Sequence, residues 1–330
     1  MYNNQEYISY IENHETLTKY QKKEFINYKN NEYKIYQNKT SNVQIASLIN
    51  YLHDVGDILK IGNLIITFAR HIGSKNAYDL VKVVTTNKLQ YDDEIIEYIY
   101  KEYYYNESHK QHIDNFKKSF LLDKVSDWDY MLDYITFKIM KLKNVDSNFK
   151  YLDIGCGNGK KTMTIGKFLN VNVKNIYGTD VQTWGPYKKY RSFDFNFRLI
   201  ENNKLSFSNG VFDLVSVILT LHHIESLHEM IDEINRVMTK NGILMIIEHN
   251  TLSDDERLLI DVQHLLYSIF TDKNKKYLTN PDFMNCYNYL EWEFIFKQHG
   301  FTNIMNEMLY PQLENRLKYD NAYFGLFIKN

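Results

Sequence analysis

The spacing of apolar residues changes along the chain and divides it into two parts. In the first part, apolar positions recur three or four residues apart, which is typical of amphipathic helices. This spacing predicts three helices, over residues 41–61, 92–104 and 126–142. Gly62 is the predicted end of the first helix, and Ser126 with Asp129 is the predicted capping box of the third. The pattern therefore predicts a mainly helical domain over residues 1–145.

In the second part, short apolar runs alternate with helical stretches. Five strands are predicted, in the runs FKYLDI, NIYGTDV, FRLIE, VFDLVSVILT and ILMIIEHN. The runs KKTMTIGKFL and HEMIDEINRVM are predicted as helices between them, the second ending near Asn241 and Gly242. Strands that alternate with helices form parallel sheets covered on both faces.

Near the C-terminus, FTNIMNEML and NAYFGLFIKN predict two more strands with only a short polar stretch between them. Consecutive strands without an intervening helix should pair antiparallel. The prediction for residues 146–330 is therefore an α/β domain. Its core is a doubly wound, Rossmann-like seven-stranded sheet with an antiparallel C-terminal hairpin.

Composition and charge restrict the cellular compartment and the classes of partner that we expect for the protein. The 330 residues carry a formal net charge of −2, without the basic excess of a dedicated nucleic-acid binder. Cys156 and Cys286 are too few for a disulfide framework or a zinc site, so we predict a reducing compartment and no metal. Neither a secretory signal nor a bilayer-spanning run is present in the sequence, which predicts a cytoplasmic protein without a membrane partner. Frequent Lys, Asn, Ile and Tyr indicate an AT-rich genome, for example that of a large DNA virus, with the host cytoplasm as the location.

The stretch DIGCGNG, behind the first predicted strand, holds Gly155, Gly157 and Gly159, three of only 13 glycines. Glycine permits positive φ and a close approach of a ligand to the backbone. In a doubly wound sheet, ligands lie beyond the carboxyl ends of the strands at the switch point. The following helix, predicted to begin near Asn158, would direct N–H groups at an anionic ligand. A tight turn without a ligand is the alternative.

Asp180 ends the second predicted strand, where an acid can accept hydrogen bonds from the two hydroxyls of a ribose. With this acid in place, YLDIGCGNG resembles motif I of class I S-adenosylmethionine-dependent methyltransferases. LTLHHIESLHEMIDEINRVMTKNGILMIIEH resembles the corresponding segment of the type-11 branch of that family. The resemblance covers about residues 148–250 and implies methyl transfer from S-adenosylmethionine.

The resemblance also implies roles for individual residues. The backbone from Gly155 to Gly159 would hold the cofactor carboxylate, and Asp153 the ammonium group. Asp180 would bind the ribose and Glu201 the adenine amino group. The predicted cofactor-binding residues are Asp153, Gly155, Cys156, Gly157, Asn158, Gly159, Asp180, Val181, Glu201 and Asn202.

Candidate catalytic residues follow the fourth and fifth predicted strands: His249, Glu248 and His222, with His223 beside the last. Methyl transfer is an in-line displacement, and it needs a base only where the acceptor must lose a proton early. A structural role in the loop is the alternative for the two adjacent histidines.

An insertion over residues 251–290 is predicted to form a lid or acceptor wall, with plain packing as the alternative. Its aromatic side chains are Tyr267, Phe270, Tyr277, Phe283, Tyr287 and Tyr289. The N-terminal helices are expected to complete the cover of the active site, with Trp128 and Tyr130 nearest the cofactor.

The sequence does not name the methyl acceptor, which could be a small molecule, an RNA or a protein. An FtsJ-like mRNA cap or RNA 2′-O-methyltransferase would use a Lys-Asp-Lys-Glu tetrad. Lys138 or Lys141 and Glu248 could supply two members, but the expected Asp is absent after FDLV. The Asn/Asp-Pro-Pro-Tyr motif of base N-methylation is also absent after the fourth strand. A non-catalytic, cofactor-binding regulatory or scaffold subunit is the third possibility.

Overall fold

The computed structural model describes residues 4–30, 45–72, 74–89, 92–99, 125–181, 195–252, 256–257, 260, 264, 285–309 and 322–330. Before the sheet, the described residues are helical. The helices are α1 (Asn4–Glu12), α2 (Lys19–Asn30), α3 (Ile45–Asp54), α4 (Ile58–Ile72), α5 (Ser74–Asn87), α6 (Asp92–Ile99) and α7 (Val125–Leu142). Among the described helices, none is both long enough and apolar enough to cross a bilayer.

The helix predicted over residues 41–61 is two helices, and Gly62 does not end it. The break lies at Gly56, whose φ is +74°, and Gly62 is inside α4. A left-handed residue ends a helix readily only where it is glycine, so Gly56 is the natural stop. The predicted capping box of α7 lies outside the described side chains, and residues 100–104 lie outside the described chain.

The sheet has the predicted seven strands, in the order β3-β2-β1-β4-β5-β7-β6. They are β1 (Tyr151–Ile154), β2 (Ile176–Asp180), β3 (Asn196–Leu199), β4 (Phe212–Ile218), β5 (Met238–His249), β6 (Phe301–Leu309) and β7 (Ala322–Lys329). Strands β1 to β5 pair parallel, and β7 pairs antiparallel with both β5 and β6. The doubly wound α/β fold with its antiparallel C-terminal hairpin is thus confirmed.

The helices described between the strands are α8 (Lys160–Phe168), α9 (Leu227–Val237) and α10 (Tyr289–Gln298). Helix α9 ends four residues earlier than predicted, because β5 already begins at Met238. The pairing of β4 with β5 jumps from Phe212–Met238 to Leu214–Ile243. Asn241, at φ +59°, lies in the intervening irregular stretch. The predicted turn is therefore a bulged part of the strand.

The core lies on both faces of the sheet, because neighbouring residues of a strand point to opposite sides. Leu152 of β1 belongs to the cluster that α9 and α10 cover, whereas Tyr151 belongs to the cluster under α7 and α8. Helix α7, assigned by the sequence to the N-terminal domain, contributes buried Leu132, Ile135 and Ile139 to this second cluster. Each such side chain contributes roughly 1.5–3 kcal/mol by burial. This packing fixes the central strands, whose carboxyl ends carry the candidate site.

Candidate functional site

The glycine turn joins β1 to α8 at the carboxyl edge of the sheet. Gly155, Gly157 and Gly159 have φ of +71°, +52° and +75°, which glycine adopts without strain. A Cβ on Gly155 would lie 2.2 Å from Thr220 Oγ1, whereas a Cβ on Gly157 would meet no described atom within 4 Å. Packing therefore requires glycine at 155, while Gly157 leaves open space where a ligand can lie against the backbone.

Several backbone N–H groups of the turn already have acceptors within the protein. Those of Gly155 and Cys156 donate to the Thr179 carbonyl at 2.8 and 3.1 Å, and that of Gly159 donates to the Cys156 carbonyl at 2.8 Å. These bonds fix the shape of the turn. The turn thus offers a rigid backbone surface, and the predicted contact of these N–H groups with a carboxylate stays a prediction.

Two further residues of the turn point in different directions. The Cys156 side chain is buried against Gly178, where an added Cβ would lie 3.0 Å from Sγ. Asn158 is exposed, and its Oδ1 accepts from the Lys160 N–H at 3.0 Å, at the start of α8. Cys156 is therefore part of the core, and a cofactor could meet only its backbone.

Asp153 is buried and binds two hydroxyl groups. Its Oδ2 accepts from Thr162 at 2.5 Å and its Oδ1 accepts from Ser216 at 2.6 Å. Burial raises the pKa of Asp153 to about 6, against the lowering effect of these two hydrogen bonds. The carboxyl group ties β1 to α8 and β4, and its predicted contact with the cofactor ammonium stays a prediction. Thr162 and Ser216 were not predicted, since a lone hydroxyl residue gives no sequence signal.

Asp180 links the end of β2 to the glycine turn. Its Oδ2 accepts from the Gly157 N–H at 2.9 Å, so the acid lies beside the open glycine. The next residue, Val181, is 71% exposed. A carboxylate and an exposed apolar side chain together suit a ribose and the edge of a base.

Glu201 and Asn202 lie just beyond β3, the strand next to β2. The Glu201 carbonyl accepts from the Lys204 N–H at 3.0 Å, and Asn202 has φ of +51°. Both form an exposed turn at the same edge of the sheet as Asp180. The structure thus brings the predicted adenine-side residues to the correct edge, and their contact with adenine stays a prediction.

Glu248, near the end of β5, is 0% exposed and accepts three hydrogen bonds. Its Oε1 accepts from the N–H groups of Thr220 and Leu221 at 2.9 and 2.7 Å, and its Oε2 lies 2.5 Å from His222 Nδ1. Burial raises the pKa of Glu248 to about 7. Because both oxygens are engaged, Glu248 is placed to hold the loop after β4 and to orient His222. Thr220 links this loop to the glycine turn through Gly155.

His222 is buried and lies in a short 3₁₀ turn, Leu221–His223, directly behind β4. Burial lowers the pKa of His222 well below its usual range, so the ring is neutral at pH 7. With Nδ1 donating to Glu248, the lone pair of the neutral ring is on Nε2. This arrangement can accept a proton at one fixed position. The neighbouring His223 is exposed.

His249, the last residue of β5, is close to the same ring. The ring centroids of His222 and His249 are 4.8 Å apart. His264, from the described part of the insertion, lies 5.3 Å from each of them. His264 was not predicted from the sequence, because a single histidine in an insertion gives no indication of its neighbours in space.

The insertion is described only in part. Tyr267, Phe270, Tyr277 and Phe283 lie outside the described residues, as do the side chains of Trp128 and Tyr130. Tyr287 is buried and packs edge-on against Trp292 with centroids 5.1 Å apart. Tyr289 is half-buried in the first turn of α10. These two rings pack, while the lid itself stays a prediction.

The lysines proposed for an RNA 2′-O-methyltransferase tetrad do not join Glu248. Lys138 Nζ lies 3.7 Å from Glu307 Oε1 on β6. Lys141 Nζ lies over the Phe137 ring, 5.1 Å from its centroid. Since Glu248 is buried against His222, the described residues do not assemble that constellation.

Comparisons with known proteins agree with this geometry. A family model described as a methyltransferase domain matches residues 103–306, more than half of the chain. Probable polyketide synthases 22 and 23 of Dictyostelium discoideum are 30% identical over 142 and 138 residues, which is 36% of this chain. The matches cover only 6% of the length of those relatives.

Solved structures with low identity are also similar. The CurJ carbon methyltransferase is 17% identical, with a TM-score of 0.47, covering 84% of this chain and 69% of that one. Phosphoethanolamine N-methyltransferase 2 of Haemonchus contortus, in complex with S-adenosyl-L-methionine, is 15% identical. Its TM-score is 0.42, over 59% of this chain and 52% of that one.

The family match spans β1 to β5 together with the glycine turn, Asp180 and the loop after β4. These are the elements whose carboxyl ends form the crevice at the switch point of the sheet. The chain therefore belongs to the methyltransferase-domain family, and it is a methyltransferase whose cofactor is S-adenosylmethionine.

Proposed function

We propose that the chain methylates an acidic carbon atom of a polyketide-type acyl chain, with His222 as the base. One observation carries this proposal: His222 Nδ1 lies 2.5 Å from Glu248 Oε2, at the carboxyl ends of β4 and β5. The pair is buried and lies across Thr220 from the glycine turn. A histidine oriented by a carboxylate is a common arrangement for a general base.

The residues of the crevice fit the cofactor. Gly157 has no described atom within 4 Å of its missing Cβ, so the backbone there can be covered by a ligand. Asp180, which accepts from the Gly157 N–H, would bind the ribose hydroxyls, and the exposed Val181 would cover the adenine. When bound, the cofactor would supply an electrophilic methyl group to the acceptor.

A carbon acceptor requires the base that this site provides. A carbon between two carbonyl groups is nucleophilic only after it loses a proton, whereas a neutral amine already has a lone pair. His222 Nε2 would take that proton, and the electron pair left on the carbon would form the new bond to the methyl carbon. The bond from that methyl carbon to the cofactor sulfur would break at the same time, with S-adenosylhomocysteine as the leaving group. Glu248 would stabilise the imidazolium formed at His222. The similarity to probable polyketide synthases supports a β-ketoacyl thioester as the acceptor.

The N-terminal helices are proposed to support the acceptor side of the site. Helix α1 packs on α10, where Tyr10 donates to Glu293 at 2.5 Å and Tyr7 packs edge-on against Phe294. Just before α10, the Asn285 N–H donates to the His222 carbonyl at 2.7 Å. Contacts therefore run from α1 through α10 to the loop of the base, which is what a supporting domain requires.

The proposal is tested by supplying the full chain with acetoacetyl-pantetheine and ¹³C-methyl S-adenosylmethionine. We expect an NMR signal from a methyl group on the α-carbon. A His222→Gln variant should bind the cofactor but form at least 100-fold less product, since general bases contribute about 10²–10⁴-fold. His53→Ala, on α3, is the matched control and should behave like the wild type.

Other outcomes would select the alternatives. Methylation of capped RNA with no product from the thioester would reject the carbon acceptor. Cofactor binding without methylation of thioesters, RNA, proteins or metabolite pools would favour a non-catalytic subunit.

A further inference from the structure

Three imidazoles from separate segments of the chain converge at the end of β5. His222 follows β4, His249 ends β5, and His264 lies in the insertion. One ring nitrogen from each lies within 4.8 Å of the other two. The three histidines are far apart in the sequence, and the fold brings their rings together. A single general base would use only one of these rings.

Two of the rings make a hydrogen bond through Nδ1. His222 Nδ1 bonds Glu248 at 2.5 Å, and His264 Nδ1 bonds the Ile260 carbonyl at 2.8 Å. A carboxylate or a backbone carbonyl on the second nitrogen is the usual support of a metal-bound histidine. Both bonds leave Nε2 as the nitrogen with a lone pair.

The third ring has a nitrogen without a partner. His249 Nδ1 is buried and makes no hydrogen bond to any described residue. A buried polar atom without a partner costs about 1–3 kcal/mol, so such an atom calls for an explanation. A bound ion next to His249 would remove that cost.

We propose that His222, His249 and His264 form a binding site for a divalent transition-metal ion of the Zn²⁺ type. Three neutral imidazoles suit Zn²⁺ and leave a fourth position open, whereas Mg²⁺ and Ca²⁺ prefer oxygen ligands. Nitrogens bound to Zn²⁺ at about 2.1 Å in a tetrahedron lie roughly 3.4 Å apart. Because the ring nitrogens lie within 4.8 Å of one another, binding would require them to approach by up to about 1.4 Å. Side-chain rotations of His249 and His264 would have to supply this shift.

The metal site does not depend on the proposed function of His222. If both are correct, the ion and the acceptor proton compete for His222 Nε2, and a bound ion blocks proton transfer. If the base is another residue, the ion can still bind.

The test measures binding directly, on the full chain after treatment with a chelator. Zn²⁺ is titrated in competition with a chromophoric chelator, and Co²⁺ is used as a spectroscopic probe. We expect one equivalent of Zn²⁺ per chain, displacement by Zn²⁺ of a visible tetrahedral Co²⁺ band, and no competition by Mg²⁺. His249→Ala and His264→Ala should each weaken Zn²⁺ binding at least tenfold, while His53→Ala, the matched control, leaves it unchanged.

Circular dichroism and S-adenosylmethionine binding verify that both variants are folded. Absence of stoichiometric Zn²⁺ binding to the wild type would overturn the proposal. So would unchanged affinity in folded His264→Ala, because the ion would then lie elsewhere. Loss of product in His222→Gln is a separate readout, so failure of the base and failure of the metal site are distinguishable.

Discussion

The two sides of the crevice at the carboxyl edge of the sheet are built in different ways. On the side of β1 and β2, the backbone of the glycine turn forms the surface, and Asp180 is bonded to it through the Gly157 N–H. On the side of β4 and β5, side chains dominate, with Glu248 at the centre of the hydrogen bonds. We expect the first side to hold the cofactor and the second side to remove a proton from the acceptor.

The two sides meet at the contact between Gly155 and Thr220. Gly155 has no side chain, and Thr220 occupies the space that a Cβ would need. Since the Thr220 N–H donates to Glu248, the glycine turn and the proposed base, His222, are linked through this loop. Methyl transfer depends on such alignment, because a misplacement of about 1 Å can lower the rate about 100-fold. Variants on the two sides should therefore affect different quantities, rate on one side and affinity on the other.

The largest expected effect is on the side of β4 and β5. His222→Ala should lower kcat by about 10³-fold, within the usual range of general bases, and leave cofactor affinity within twofold of wild type. Single-turnover kinetics and calorimetry measure the two quantities. A variant with full activity would remove His222 from the mechanism. His249→Ala tests the other predicted base in the same assay.

The next effect is on the cofactor side. Asp180→Ala should weaken S-adenosylmethionine binding by about 2 kcal/mol, or roughly 30-fold, because ribose hydroxyls and the Gly157 N–H lose their acceptor. Calorimetric titration measures this change. Unchanged affinity would contradict the assignment of the crevice. Asp54→Ala, at the exposed C-terminal end of α3, is the control for the loss of one negative charge.

A smaller effect concerns the pH dependence of stability. The pKa of Asp153 is raised from 3.8 to about 6 by burial, so the folded state binds this proton more tightly than the unfolded state. Its contribution to stability is therefore present at low pH and is lost as pH rises through about 6. Relative to Asp153→Asn, the wild type should lose about 1.4 kcal/mol between pH 5 and pH 7.5.

Urea unfolding at both pH values measures this difference. Asn can still accept and donate one hydrogen bond each with Thr162 and Ser216, so the variant should fold. An identical pH dependence of the two proteins would mean that Asp153 is ionised throughout this range.

The cofactor side was predictable from the sequence because its signal is local. The βαβ unit determines where its parts lie in space. It places the three glycines behind its first strand, next to the acid that ends its second strand. The other side was predictable only in part. His222, Glu248 and His249 follow two predicted strands, but the burial of Glu248 and its three donors depend on packing. His264 depends on the path of a long insertion, which no local pattern specifies.

The same limit explains the errors in the helices. The apolar periodicity continues from α3 into α4, so it does not reveal the break at Gly56. Gly62 lies inside α4, at a helical position that tolerates glycine. The antiparallel pairing of β6 and β7 was predictable, since the sequence predicts no helix between the two strands. Sequence patterns thus identified these helices and strands, whereas tertiary contacts determined where they begin and end.

The smallest expected effect separates backbone strain from ligand contact. Gly157→Ala should cost about 1 kcal/mol of folding stability, because an L-residue at φ of +52° is strained. It should also weaken S-adenosylmethionine binding several-fold, since the new methyl group enters the space above the turn. Gly210→Ala is the matched control: φ is +65°, and among the described atoms only the Met238 carbonyl oxygen lies within reach of an added Cβ, at 4.0 Å. Gly210 precedes β4 at the opposite edge of the sheet, so its variant should lose similar stability and keep full affinity. Equal affinities in the two variants would mean that the open surface of Gly157 does not face the cofactor, and the glycine would then serve the turn alone.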